Sequence, residues 1–273
     1  MTALPMGLIR DMPAETYHSI QALSASGLKR LRQSPLHFWS AQLDPNRVHG
    51  EPTPSMLAGT LAHTMLLEPD QVAERYQVLP PGIDMRTKEG KAWKASVPAG
   101  ITLITIEQKQ TAERQAAAVR ALPEIAALME NGFAESSAFW IDEATGEHCK
   151  CRPDWVSEAG DGVVLIDLKT CQDASASGFP RTIANFGYHL QAAWYADGYE
   201  RATGRMVLGF VFACVEAAAP HAAAAYMLDD GSLDKARSEN RRLLDLYAQC
   251  KSIDDWPGYP ASIQVLALPA WAS

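Results

Sequence analysis

Apolar and polar positions alternate in two rhythms along this chain, one helical and one strand-like, and an order of elements follows from them. Ser24 or Ser26 caps a short helix that ends before Pro35. Asp44 to Pro54 is polar and rich in proline and reads as a loop. From Ser55 to Glu68 the apolar residues Met56, Leu57, Leu61, Met65, Leu66 and Leu67 predict a mostly buried helix that stops before Pro69. Tyr76–Leu79 reads as a short strand, followed by a polar loop from Pro80 to about Gly90. Glu107 to Met129 is expected to be helical, with Pro123 breaking it or starting a second piece.

The second half is richer in strand signals. Phe133–Ile141 is expected as one strand, Thr145-Gly146 as a turn, and His148–Val156 as the returning arm of a hairpin. Asp161-Gly162 makes the next turn, into a strand over Val163–Thr170. Pro180 to Ala202 is a long amphipathic helix stopped by Gly204. Met206–Cys214 reads as a buried strand, Ala222–Leu228 as a further strand and Asp234 to Cys250 as a helix. The tail from Trp256 carries three prolines. Helix, three-strand meander, helix, strand predicts an α/β fold: a central mixed β-sheet flanked by helices. No linker sets the first 105 or so residues apart from a core over about 106–273, so residues 1–273 are expected to form one elaborated domain.

The run Val163–Thr170 is apolar except for Asp167 and Lys169. Burying charge is costly unless it is paired or bound to a metal. Residues two apart on a strand share a face, so Asp167 and Lys169 project side by side. Twelve residues before Asp167 intervene after Asp154, on the preceding strand. Two carboxylates and an ammonium are thereby gathered at one place, the set that metal-assisted phosphodiester hydrolysis needs. A structural salt bridge near a sheet edge is the alternative. His63, in the buried helix, reads as a core histidine. Glu135 is as well placed to face solvent as a site. Gln191 and Tyr195 share a helix face and fit an amphipathic helix packing its tyrosine.

Composition narrows the classes. With 47% hydrophobic and 21% charged residues in 273, the balance is that of a soluble globular chain. No stretch approaches a membrane span, and the start Met1-Thr2-Ala3-Leu4-Pro5-Met6 lacks the pattern of a secretory signal. A net charge of −8 argues against coating nucleic acid through bulk charge, though not against a nuclease whose carboxylates hold cations. The basic stretch Gly27–Gln33 reads as a solvated helix face. Five cysteines, an odd number, fit free thiols in a reducing cytoplasm. Cys149 and Cys151, with His148 and Cys171 nearby, are too weak a pattern for a zinc or iron–sulfur site.

Pro153-Asp154 followed by Asp167-Leu168-Lys169 resembles the PD-(D/E)XK nuclease superfamily. More narrowly, Cys149–Asp154, Asp167–Thr170 and Tyr188–Gln191 with Tyr195 and Asp197–Tyr199 resemble the nuclease domain of exonuclease VIII (RecE-type), from phage-derived recombination systems. The likeness extends to Gly59–His63 with Leu67–Pro69, to Ala134–Ser137, and to Trp256-Pro257 with Leu268–Ala272.

The resemblance implies a restriction-endonuclease-like core. His63, Asp154, Asp167 and the Leu168 carbonyl would hold Mg²⁺, or Mn²⁺, which tolerates nitrogen better. Lys169 would serve the attacking water, Glu135 would support the site, and Gln191 and Tyr195 would position the DNA end and the lysine. It further implies 5′-to-3′ digestion of linear double-stranded DNA to leave 3′ tails. A ring-shaped homotetramer and a single-strand annealing protein as partner also follow from it. An endonuclease, a helicase-coupled nuclease and an inactive DNA-binding relative are the rival readings.

Overall fold

The charged strand lies at the centre of a five-stranded sheet. The structure is a computed structural model, and residues 4–48, 50 and 53–268 are described. The tail motif from Pro269 to Ala272 lies outside them.

The amino-terminal part opens with β1 (Gly7–Ile9) and the helices α1 (Ala14–Ser19), α2 (Ala25–Gln33), α3 (Pro35–Gln42), α4 (Pro54–Leu67) and α5 (Val72–Arg75). Ser24 caps α2 by accepting from the Gly27 N–H, and Ser34 and Thr53 cap α3 and α4 in the same way. β2 (Tyr76–Val78) pairs in parallel with β3 (Thr102–Ile104), and α6 (Lys88–Ser96) lies between them. The sequence reading missed β3 and α6, and α6 starts inside the loop expected to reach Gly90. Both are short, and neither carries a strong apolar period.

Next come α7 (Ile106–Arg120), entered through a Thr105–Gln108 capping box, and α8 (Pro123–Met129), which begins at the proline expected to interrupt.

The remaining elements hold three corrections to the expected boundaries. The single strand expected over Phe133–Ile141 is two, β4 (Gly132–Ala134) and β5 (Ser137–Ile141). Glu135 separates them with φ +52°, a left-handed conformation that ends a pleat. The returning arm is also two strands, β6 (His148–Cys151) and β7 (Trp155–Ala159), parted at Arg152-Pro153-Asp154, where proline cannot donate to a ladder. After β8 (Gly162–Cys171), the expected long helix is α9 (Phe179–Phe186) and α10 (Tyr188–Thr203), broken by Gly187 at φ +62°. β9 (Met206–Glu216), β10 (Ala223–Tyr226) and α11 (Asp230–Ile253) complete the fold.

The large sheet runs β10-β9-β8-β7-β4. β8 and β9 are parallel and the other pairs antiparallel, so the sheet is mixed, as expected. A second sheet, β1-β5-β6, is antiparallel. On β8 and β9 the alternation of side chains divides two cores. Val163, Leu165, Phe210 and Phe212 face α2, α10 and α11, meeting Leu28, Leu190 and Leu243. Ile166, Leu168, Val211 and Ala213 face α4 and α7, meeting Leu61, Leu66 and Val119. Helices therefore cover both sides of the sheet, and α2 and α4 from the first hundred residues belong to these layers.

Candidate active site

Asp167 and Lys169 share the α10-facing side of β8, as the period of two requires. Asp167 is 1% exposed. Its Oδ2 pairs with Lys169 Nζ, and its Oδ1 accepts from Gln191 Nε2 at 2.5 Å. Lys29 Nζ donates to the other end of the same amide, Gln191 Oε1, at 3.1 Å. The Tyr188 ring lies 4.6 Å from Lys169 Nζ and 4.8 Å from Lys29 Nζ. Burial works against the Lys169 charge, but Asp167 and Asp154 outweigh it and raise its pKa. Lys29 is pushed down to about 8 by burial, with repulsion from Lys169 adding.

Asp154 stands at the start of β7, beside β8. Its Oδ2 accepts the Leu168 N–H at 2.7 Å and lies 3.4 Å from His63 Nδ1. His63, on α4, reaches the same strand from the opposite side, with Nε2 2.9 Å from the Leu168 carbonyl oxygen. Glu135 closes the group. Its backbone N–H donates to the Asp154 carbonyl at 3.0 Å. Its Oε2 accepts from Arg152 Nε at 2.6 Å. Arg152 in turn is held by the Met12 carbonyl at 2.8 Å and Ser137 Oγ at 3.0 Å. A cleft of about 500 Å³ opens over His63, Glu135 and Arg152.

Ligand atoms of His63, Glu135 and Asp154 all lie within 4.8 Å of one another. Asp167 couples to this group electrostatically: burial first, and then the Asp167 charge, push the Asp154 carboxyl well above the usual carboxylate range. Burial also raises Glu135, with Arg152 opposing, and lowers His63. The carboxylates are thus desolvated beside an imidazole biased toward its neutral form. Arg152 and Lys169 offset part of the negative charge gathered here, and a divalent cation would offset the rest.

The donor set fits an ion. With Nδ1–H of His63 facing Asp154, Nε2 and the Leu168 carbonyl meet lone pair to lone pair. Adjacent ligands around a Mg²⁺ with 2.1 Å bonds are about 3.0 Å apart, close to the spacing seen between them. With the proton on Nε2, the same pair is an ordinary hydrogen bond.

The eight residues singled out from sequence therefore fall into distinct places. His63, Glu135, Asp154 and the Leu168 carbonyl converge in one group. Asp167, Lys169 and Gln191 form an adjoining chain of contacts. Tyr195 packs its ring edge-on against Phe210 at 6.0 Å, and burial raises its hydroxyl pKa well above the usual value. Packing accounts for that contact. Sequence reasoning missed Lys29, Tyr188 and Arg152 as site residues. Arg152 adjoins the motif, which is a usable signal. Lys29 lies 162 positions from Gln191, so no local pattern pairs them. It also departs from the solvated face expected for its helix.

All five cysteines are free and buried. Among the described residues, no helix is long and apolar enough to cross a membrane.

Comparison with known proteins agrees with this fold. A crystal structure of a protein named "Putative exonuclease", from Eubacterium rectale, matches with TM-score 0.62 at 14% identity, covering 95% of this chain and 96% of that one. This likeness is one of fold. The crystal structures of SSO0001 (TM-score 0.29, 18% identity, 50% of this chain and 67% of that one) and of VC1899 from Vibrio cholerae (TM-score 0.22, 11% identity, 84% and 56%) are too distant to carry an argument. No curated protein matches the chain. Residues 24–269 match the family described as "PDDEXK-like domain of unknown function (DUF3799)", and the chain belongs to that family, within the PD-(D/E)XK superfamily.

Proposed function

We propose that this protein is a divalent-metal-dependent DNA exonuclease acting on linear double-stranded ends, 5′ to 3′, to leave 3′ single-stranded tails for recombination. Membership in a PDDEXK-like family supports a nuclease. The printed name of the Eubacterium rectale neighbour and the RecE-type motifs favour the exonuclease form. The observation that carries the reading is the convergence of His63, Glu135 and Asp154, with His63 also at the Leu168 carbonyl and Lys169 next on the same strand.

His63, Asp154 and the Leu168 carbonyl would hold Mg²⁺, with Asp167 and Glu135 beside them. The ion, when bound, acidifies its water and stabilises the leaving oxygen. Lys169, held cationic by the neighbouring carboxylates, offsets charge building on the phosphate. Asp167 orients Lys169, and Gln191 orients Asp167. Arg152 braces Glu135. We take residues 1–273 as one nuclease unit, a reading favoured by α4, which supplies His63 from the amino-terminal part. A cytoplasmic setting suits its free thiols. A ring-shaped homotetramer and an annealing protein as partner would complete the system.

The test is Mg²⁺-dependent digestion of end-labelled linear duplex beside a covalently closed circle. The linear DNA is expected to release its 5′ label while the circle survives, and His63→Ala and Asp154→Asn to stop the release. Cleavage of the circle, or no release from the linear duplex, overturns the reading.

A further inference from the structure

Behind Lys169, on the side away from the metal group, the surface carries an aromatic ring with one open face. Phe186 ends α9 and is 61% exposed. Its inner face stacks on Tyr188, with ring centroids 5.7 Å apart and planes 21° apart. Tyr188 is the ring shared by Lys29 and Lys169. An aromatic step therefore leads from solvent to the candidate catalytic lysine. A groove of about 330 Å³ runs beside it, lined by Lys29, Arg32, Gln33, Asn185, Phe186 and Gly187.

Gly187 serves this turn through its backbone freedom and not through lack of room for a side chain. A Cβ there would stand 3.4 Å from Lys29 Cγ and 3.5 Å from Arg32 Nη1, on a backbone with φ +62°.

Charge in the groove is unbalanced. Two half-buried ammonium groups crowd one ring. The nearby carboxylate of Asp167 is already engaged by Lys169 and Gln191. Arg32 pairs with Glu239 at 3.1 Å, whereas the Lys29 ammonium has no carboxylate partner among the described residues and, beyond its bond to Gln191, two further protons to offer an anion. Burial first, and then crowding by Lys169, hold the Lys29 pKa down to about 8, and an anion beside Lys29 would offset the crowding. An exposed aromatic face next to a cation is the pairing that binds unpaired nucleotides, base on ring and phosphate on ammonium. Base pairs inside a duplex are stacked on both sides and offer no such face; only the terminal pair has one open.

We propose that this groove is a subsite for one unpaired nucleotide of the DNA strand, its base stacked on Phe186 and its phosphate held by Lys29. The proposal deepens the nuclease reading and rests on it for the identity of the ligand. In this arrangement a strand leaving the duplex is gripped one contact away from Lys169, before or after the scissile phosphate.

Anisotropy of fluorescein-labelled oligo(dT) of about ten nucleotides, with the full chain in EDTA, tests it. Phe186→Ala is expected to weaken binding by about 5- to 100-fold and Phe186→Trp to restore it. Lys29→Gln should reduce the slope of log affinity against log salt by about 0.7. Phe186→Ala within twofold of the native chain, or an unchanged slope for Lys29→Gln, overturns the subsite. Digestion of linear duplex by the native protein is read separately. If digestion occurs while Phe186→Ala binds normally, the subsite fails and the nuclease stands. If the oligonucleotide binds through Phe186 but no DNA is cut, the nuclease reading fails and the groove stands.

Discussion

Removing the Lys169 charge isolates the most buried carboxylate of the site. Asp167 is 1% exposed and Lys169 14%. Breaking a buried pair from one side costs about 3–5 kcal/mol, because an uncompensated charge remains. Gln191 still donates to Asp167 Oδ1 at 2.5 Å in Lys169→Met, so the lower end applies, about 3 kcal/mol. Asp167→Asn strands an ammonium that keeps the Tyr188 face and some water, and about 2 kcal/mol is expected. The double variant Asp167→Asn/Lys169→Met has no charge to strand and should lie within about 1 kcal/mol of the native chain. Urea denaturation in EDTA measures all three, and Lys169→Met should melt about 6–10 °C early. Singles that add in the double to within about 0.5 kcal/mol would refute the coupling. The same variants separate folding from chemistry, since the double is expected to be stable but unable to cut DNA. Wild-type digestion by the double would remove Lys169 from the mechanism.

Two further outcomes follow from packing. A Cβ on Gly198 would lie 2.2 Å from the Trp140 ring, which itself packs on Trp194 at 5.1 Å. Gly198→Ala should therefore destabilise by about 1–3 kcal/mol or more, and an unchanged melting temperature would contradict the packing. Burial pushes Cys149 up to about 12 and Cys171 to about 11. As pH rises past about 8.5 the unfolded thiols lose protons first. The native state then holds more protons than the unfolded one, and stability falls between about pH 9 and 11. Denaturation at pH 8 and 10.5 checks this, and Cys149→Ala with Cys171→Ala should make the decline shallower, the buried Cys151 and Cys214 still contributing in the same sense.

Much of the site was legible because charge inside an apolar strand needs a reason. Asp167 and Lys169 stood out against Val163–Ile166, and Asp154 followed from the hairpin expected before them. His63 was placed on its helix by periodicity, but only the family likeness separated it from a core histidine. Glu135 was obscured because Phe133–Ile141 keeps strand-like composition straight through the break. Pro153 and Gly187 were usable warnings: proline parts β6 from β7, and glycine parts α9 from α10. Lys29 had none, since its pairing with Gln191 exists only after the sheet and α2 have packed.

Glu135 and Asp154 stand where the chain passes between its two sheets, β4 to β5 and β6 to β7, and the backbone bond between them ties the two crossings together. A cation held by Asp154 with Glu135 beside it would act as a rivet through that seam. Coupling of this kind is reciprocal. Whatever pries the sheets apart loosens the ion, and whatever seats the ion stiffens the hinge. Nucleic acid wedged into the cleft above would therefore sense, and alter, the angle at which the sheets meet.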